Sequence, residues 1–456
     1  MLKKIFLILP VLLLFIGPAN SFAGIDINNK DRILILAPHP DDETIGCAGI
    51  IQDALKAGAE VKVMYLTNGD HNQIAFIVYE KRLTLRKGEF LHMGEVRRKE
   101  AIKAMKLLGL GENHLIFLGY PDWGTFAILT QYWQTKKPYK SWLTRVSSVP
   151  YKANLSYGAP YTGDSILADL ESVLLKYKPN KIFVSHPADT NRDHHAFYIF
   201  LQIALQDLKK KIPSPEVYPY LVHCAGWPLP RHYHPELSLA PPGKFSQGQI
   251  NWLEFKLTQR QLENKHQAML CYKSQTESSA FYLLSFVRKN ELFGDYPDIE
   301  LKKKVSTKER GVSFFGFSNM FAGSEFGVLD GLDLSQGQGV VSYTVLDDCF
   351  LIRIGKLKQP DRRLGAIFYI FGFSQNKPFA QMPKIRIITR YNRFKVFDKR
   401  KLIKPPGVSL TLSTDTLILK VPLSVLGNPE FILTSVKAYK GILPPETSGF
   451  RKIKIQ

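Results

Sequence analysis

The sequence predicts an α/β protein built on an open, mostly parallel, Rossmann-like sheet flanked by helices and followed by a C-terminal β-sandwich-like domain. Three observations predict it. Apolar β-branched runs alternate with helical periods through the first two thirds of the chain, the mark of βαβ units with right-handed crossovers. Twice, a cluster of His and Asp stands where such a run gives way to a helix, the end of the sheet where α/β proteins place their sites. From about Val305 the helical periods vanish and short runs rich in β-branched and aromatic residues replace them.

At 456 residues the chain exceeds the size at which one core stops growing, so two domains after a leader are expected. Lys3 and Lys4, the apolar run Ile5 to Ile16 and the small residues around Ser21-Phe22-Ala23 read as a signal peptide over residues 1–23. That reading implies an exported protein, periplasmic, envelope-associated or secreted. The apolar run is shorter than the roughly 20 residues of a membrane span, with an uncleaved N-terminal anchor as the alternative. No transmembrane span is expected beyond the leader.

Residues 24–300 are expected to form a catalytic domain. Arg32 to Ala37 reads as a buried strand and Glu43 to Lys56 as a helix with Ile45, Ala48, Ile51 and Leu55 at helical spacing. The strand Val61 to Thr67 completes a βαβ unit. A helix from Val96 to Leu108, a strand Leu115 to Leu118, a helix from Ser165 to Tyr177, a strand Lys181 to Ser185, a helix from His194 to Lys211 and a strand Tyr218 to His223 continue the alternation. His266 and the Met269 to Tyr272 stretch lie on an amphipathic helix that packs into the core. After the polar stretch Tyr296 to Lys308, residues 301–456 form an accessory β-rich domain with strands at Val340 to Val345, Phe350 to Ile354, Ala366 to Phe371, Lys384 to Thr389 and Leu410 to Leu419.

The net charge of +21 and pI near 9.6 favour anionic surroundings such as an envelope surface. Export counts against nucleic acid as a partner. Cys47, Cys224, Cys271 and Cys349 are scattered, without the close pairing of a thiolate zinc site or a dithiol redox motif. Export would permit a disulfide, with Cys224 and Cys271 the pair to test, although sequence does not fix the pairing.

The chemistry-bearing segments are Ala37-Pro38-His39-Pro40-Asp41-Asp42-Glu43 and His186-Pro187-Ala188-Asp189-Thr190-Asn191-Arg192-Asp193-His194-His195. Helix capping explains one acid or two of the first segment, but not a His between two prolines. A His and two adjacent acids in a strand-to-helix turn point in different directions, so one carboxylate can ligate a metal while its neighbour faces a bound water. Two strand ends carrying such residues suggest one cleft between them. One His, one Asp and a second His make the three-ligand set with an open position that catalytic zinc commonly uses.

These segments resemble the signature motifs of the PIG-L/LmbE family of zinc-dependent de-N-acetylases, over roughly Arg32 to Tyr296. The Arg97 to Gly109 helix and Leu118-Gly119-Tyr120-Pro121-Asp122 are similar to weaker blocks of that family. The resemblance implies His39, Asp42 and His194 as ligands of Zn2+, with another divalent metal as the alternative, and Asp41 as general base. It implies a hydrolase removing an N-acyl group, above all N-acetyl, from an amino sugar or glycoconjugate. Many family members carry a His three residues before the zinc-binding His, where this chain has Asn191. Asn can donate to an oxyanion but cannot titrate, so the acid role passes to Asp41 after it takes the water proton, or to His186 or His223. Asp193 either orients an imidazole or caps the following helix.

Asn68 and Asp70 sit on the same expected rim and either bind sugar hydroxyls or make a turn. Arg97 either reaches substrate or pairs with an acid in the site, or else makes a surface or structural salt bridge; Asp122 has similar standing, and His223 either faces the cleft or is a satisfied core or rim His. Trp123, Phe126, Tyr132 and Trp133 either stack on sugar rings or pack under a long loop. A hydrolase of a non-sugar amide and a non-catalytic glycan-binding protein are the competing readings.

Overall fold

Seven strands form the sheet on which the site is built, in the order β3-β2-β1-β4-β5-β7-β6. They are β1 (Arg32–Ala37), β2 (Glu60–Thr67), β3 (Leu115–Tyr120), β4 (Lys181–Ser185), β5 (Glu216–Tyr220), β6 (Leu253–Lys256) and β7 (Asn290–Phe293). β1 to β5 run parallel, and β6 and β7 join antiparallel. The computed structural model describes residues 24–72, 77–79, 81, 86–243, 245, 250–305, 327–333, 338–355, 357, 363–440 and 446–456, so the expected leader lies outside the described residues.

Both faces of this sheet are covered, which explains its nearly all-apolar strands. Leu34 and Leu36 of β1 pack with α4 (Gly163–Tyr177) and α5 (Arg192–Asp207), beside α3 (Thr125–Gln131). The alternate residues Ile33 and Ile35 pack with α1 (Asp42–Ala57), α2 (Lys87–Leu107) and α6 (Gln259–Met269). α7 (Lys273–Leu283) follows α6. β1 lies between β2 and β4, so sheet growth reverses there, and the crevice at the carboxyl ends of β1 and β4 is where a doubly wound sheet receives its ligand. The two chemistry-bearing segments leave from those ends.

Several boundaries differ from the sequence expectation. The second helix begins at Lys87 rather than Val96, and the helix expected over His194 to Lys211 spans Arg192–Asp207. β5 ends at Tyr220, leaving His223 in the loop beyond. His266 is on α6 and stacks on Tyr233 at 4.2 Å. All four cysteines are buried and none is bridged to another, Cys224 and Cys271 included. No helix among the described residues is long and apolar enough to cross a membrane.

The C-terminal part contains β8 (Ile299–Leu301), β9 (Lys303–Lys304), β10 (Gly327–Asp333), β11 (Gln338–Leu346), β12 (Cys349–Gly355), β13 (Leu364–Phe373) and β14 (Lys384–Arg390). It continues through β15 (Arg393–Asp398), β16 (Lys401–Ile403), β17 (Ser409–Leu412), β18 (Leu417–Pro422), β19 (Phe431–Lys440), β20 (Glu446–Thr447) and β21 (Arg451–Ile455). The single strand expected over Leu410 to Leu419 is a hairpin, because Ser413 N–H closes a turn on Thr416 O. β16-β15-β14-β13-β19-β21-β8 form one sheet, joined by β20, and β10-β11-β12-β18-β17 form a second, joined by β9. Phe350, Ile352 and Leu419 of the second sheet share a core with Phe368, Ile370 and Ile432 of the first, a sandwich.

Candidate metal centre and active-site cleft

The turn after β1 is built so that adjacent acids diverge. Asp41 has φ 128°, a backbone conformation that L-residues rarely adopt. Its carbonyl accepts Thr44 N–H and Ile45 N–H at 3.0 and 2.9 Å, opening α1. Its amide N–H donates to Glu43 Oε2 at 3.1 Å, and the buried Glu43 carboxylate in turn accepts Tyr272 O–H. Arg97 reaches in from α2 and donates to Pro40 O at 2.8 Å, to Gly69 O at 3.2 Å and to Asp41 Oδ2 at 3.1 Å. A Cβ on Gly69 would lie 2.1 Å from that guanidinium, so only glycine admits it.

Asp42 Oδ2 is the meeting point of the two segments. It accepts His39 N–H at 2.9 Å and lies 3.1 Å from His39 Nδ1 and 3.1 Å from His194 Nε2. His39, Asp42 and His194 are all buried, and one ligand atom from each falls within 4.8 Å of the others. His194 Nε2 completes no hydrogen bond, although it points at a carboxylate. Each imidazole is backed on its other nitrogen by further carboxylates. His39 Nε2 lies 3.2 Å from Asp122 Oδ1 and 3.4 Å from Asp193 Oδ2, and His194 Nδ1 lies 3.2 Å from Asp189 Oδ2.

Charge follows from this crowding. Burial disfavours the imidazolium of His194, yet the Asp189 and Asp42 carboxylates outweigh it and push its pKa up to about 9. His39 is raised in the same way, chiefly by Asp122. Asp42 and Asp189 are held well below the usual carboxylate range against the pull of burial. Burial raises Asp41 to about 7, opposed by Arg97 and assisted by Asp42. A buried cluster of acids that pushes the pKa of its imidazoles up is a site demanding positive charge. Two imidazoles, a carboxylate and carboxylate-backed ring nitrogens fit a divalent ion of the zinc type.

A cleft of about 520 Å³ opens over this centre, lined by His39, Asp41, Asp42, Arg97, Asp122, Asn191 and His223, with His71 and Trp123 beside them. Trp123 is 62% exposed, at φ 60°, and stacks against His71 at 6.0 Å. Phe126 and Trp133 are buried instead, as packing residues.

The other expected residues take different places. Asn191 Oδ1 accepts Asp193 N–H at 2.8 Å and is the cap of α5, so its carbonyl side is engaged and the amide N–H2 remains as donor. Asp193 therefore neither caps that helix nor touches His194. It stands behind His39 and accepts Trp123 N–H at 2.6 Å, Thr125 N–H at 3.1 Å and the Thr125 hydroxyl. Asn68 and Asp70 are buried and do not line the cleft. Asn68 accepts from Asn154 at 2.8 Å, while Asp70 accepts the Tyr151 hydroxyl at 2.7 Å and Asp122 N–H at 3.3 Å. His186 is absent from the lining as well: its Nδ1 accepts Ala188 N–H at 2.9 Å and its ring stacks on Trp252.

Sequence reasoning gave Asp189 no role, yet it is the hub of the second segment. Its Oδ2 accepts Val222 N–H and His223 N–H at 3.0 and 2.7 Å, and its Oδ1 accepts Asn191 N–H at 2.8 Å and lies 3.1 Å from His223 Nδ1. The one local signal was an acid inside a motif at a strand end. Its partners beyond β5 are more than thirty residues away.

Residues 34–205 match the family described as PIG-L: GlcNAc-PI de-N-acetylase. No curated protein matches the chain significantly. Among solved structures, the chain is similar to an N,N'-diacetylchitobiose deacetylase from Pyrococcus horikoshii (18% identity, TM-score 0.32, covering 53% of this chain and 70% of that one). It is also similar to the A40926 pseudoaglycone deacetylase Dbv21 (16%, 0.36, 58% and 96%). A third is the 4-carboxy-2-hydroxymuconate hydratase GalB of Pseudomonas putida KT2440 (14%, 0.34, 61% and 99%).

Proposed function

We propose, from the premise that residues 34–205 form a domain of the PIG-L family, that the protein is a metal-dependent hydrolase removing an N-acyl group, above all N-acetyl, from an amino sugar or glycoconjugate. The observation that carries the reading is the convergence of His39, Asp42 and His194 beside a fourth, separately held acid, Asp41. A site built only to bind glycan has no use for that acid. The Lys3 to Ala23 leader and the net charge of +21 support an exported enzyme working near anionic envelope material.

Zn2+ held by His39, Asp42 and His194 would, when bound, polarise an amide carbonyl and lower the pKa of a water towards about 7. Arg97 occupies Asp41 Oδ2, so Oδ1 is the atom left to take the proton of the attacking water. A carboxyl already raised to about 7 by burial holds that proton long enough to return it to the departing amine. This path replaces the imidazole that Asn191 does not supply. Negative charge on the carbonyl oxygen meets donors lining the same cleft, the Asn191 amide and His223, whose Nδ1 is fixed by Asp189. Trp123 offers an exposed ring at the mouth for the apolar face of a pyranose.

The test is metal content together with amine release from N-acetylglucosamine derivatives and from non-sugar N-acetyl amides, for the parent and Asp41→Ala. About one zinc per chain in both proteins, with amine released from sugars by the parent alone, is expected. Equal release from non-sugar amides would move the substrate class. Metal-bound protein that binds glycan and releases no amine would sink the catalytic reading.

A further inference from the structure

In the eight-stranded sheet of the C-terminal part, the central strand β13 is apolar on both faces. Phe368 and Ile370 of β13 face the sandwich core, while Tyr369, Phe371 and Phe373 belong to the same cluster as α3, α4 and α5. A strand read with period 2 that is apolar on both sides is a middle layer, not an outer wall. The sandwich is therefore bonded to the α/β unit through a continuous core, and its sharpest contact falls on the segment carrying Asp189 and His194.

Phe450 N–H donates to Pro187 O at 2.9 Å. A Cβ on Gly449 would meet the Tyr296 ring at 2.6 Å, Ala188 Cβ at 2.9 Å and Ala188 Cα at 3.1 Å, so only glycine lets the chain approach this closely. Pro187 and Ala188 lead directly into Asp189, which backs His194. The Phe450 ring meets His195 at 5.4 Å and Phe126 at 6.1 Å, and Tyr369 meets Phe126 edge-on at 5.1 Å. Phe126 lies in the first turn of α3, next to Thr125, which grips Asp193 behind His39. The carboxylates behind both imidazoles thus sit on segments against which the C-terminal sheet packs.

We infer that Gly449 and Phe450 are positioning residues of the metal centre, and that the C-terminal sandwich braces the catalytic site rather than serving as a detachable glycan-binding module. The inference rests on the metal-centre reading above. Its test uses the full chain and two readouts: zinc affinity by chelator competition, and hydrogen exchange of the backbone amides that follow Pro187, from Ala188 to His195, in the metal-free protein. Phe450→Ala and Gly449→Val should bind zinc about 10- to 100-fold more weakly, the range seen when groups behind metal ligands are lost. They should also exchange the Ala188 to His195 amides faster while keeping parental far-UV circular dichroism. Phe450→Leu should recover part of both losses. Phe394→Ala, on the exposed β15 of the same sheet, should change neither. If Phe450→Ala does not fold, Phe450→Leu and Gly449→Ala carry the comparison.

Folded variants with parental zinc affinity and parental protection would overturn the brace. A parent that binds no zinc would overturn the metal reading alone, and the exchange arm would still decide whether the sandwich holds the segment.

Discussion

Two residues in the cleft hold backbones that glycine would adopt more easily, Asp41 at φ 128° and Trp123 at φ 60°. Such conformations cost roughly 1–3 kcal/mol each and persist where surrounding bonds over-determine them. Here those bonds are the opening of α1 and the Asp193 carboxylate. Trp123→Gly should raise stability by about 1 kcal/mol while raising KM for a sugar amide, a split read from thermal melts and steady-state kinetics. Asp41→Asn should lower kcat about 10²- to 10⁴-fold with zinc content unchanged by elemental analysis. The protonated imidazoles add a pH dependence. His194, raised to about 9, contributes stability to the metal-free protein that is complete below its unfolded value and lost as pH rises through about 9. Zinc must displace that proton, so apparent zinc affinity should climb between pH 6.5 and 9, by about tenfold per unit per proton displaced. Competition titrations across that range measure it.

At the scale of elements, the site is two loops at one switch point, each with its own internal bonding. The β4 loop is tied to the segment beyond β5 through Asp189, which bonds Val222 N–H, His223 N–H and Asn191 N–H as well as approaching His194. Asp189→Asn loses the charge behind His194 and sets an amide N–H2 against a backbone N–H that the carboxylate accepts, so zinc affinity should drop about 10- to 100-fold. Parental affinity in that variant would show that Asp189 only shapes the loop. The two segments were legible because strand, turn and helix signals put His and Asp at strand ends, and it was the family resemblance that singled out His39, Asp41, Asp42 and His194 within them. Asp189 was given no part, and Arg97 and Asp122 were left between alternatives, because the contacts that fix them close across 28 to 83 residues. The helix onset at Lys87 and the hairpin turn at Ser413 were likewise set by local hydrogen bonds that apolar periodicity does not register.

For the whole molecule, one hydrophobic cluster runs from Leu34 in β1 through Phe126 and Phe200 to Phe371, Phe431 and Phe450 in the C-terminal sheet. Units that share a core melt together, so calorimetry should show a single transition rather than two. Chelation should lower the melting temperature of that one transition, since a ligand at 100 times its Kd adds about 2.7 kcal/mol. Two resolved transitions, with only the first responding to chelator, would mean that the shared cluster does not couple the units.

The sequence by itself determined the class of sheet, the strand ends that bear chemistry and the change to β structure after about residue 300, because each is written in residues close along the chain. The run Ala366 to Phe371 was legible as a strand, while its burial on both faces emerged only from the structure. Tertiary structure alone decided which acid backs which imidazole, that the Asn191 carbonyl oxygen caps a helix, that Trp123 is exposed while Phe126 is buried, and that the sandwich presses on Pro187 and Ala188. Those outcomes depend on contacts between segments far apart in sequence, and local propensity carries no information about the partner.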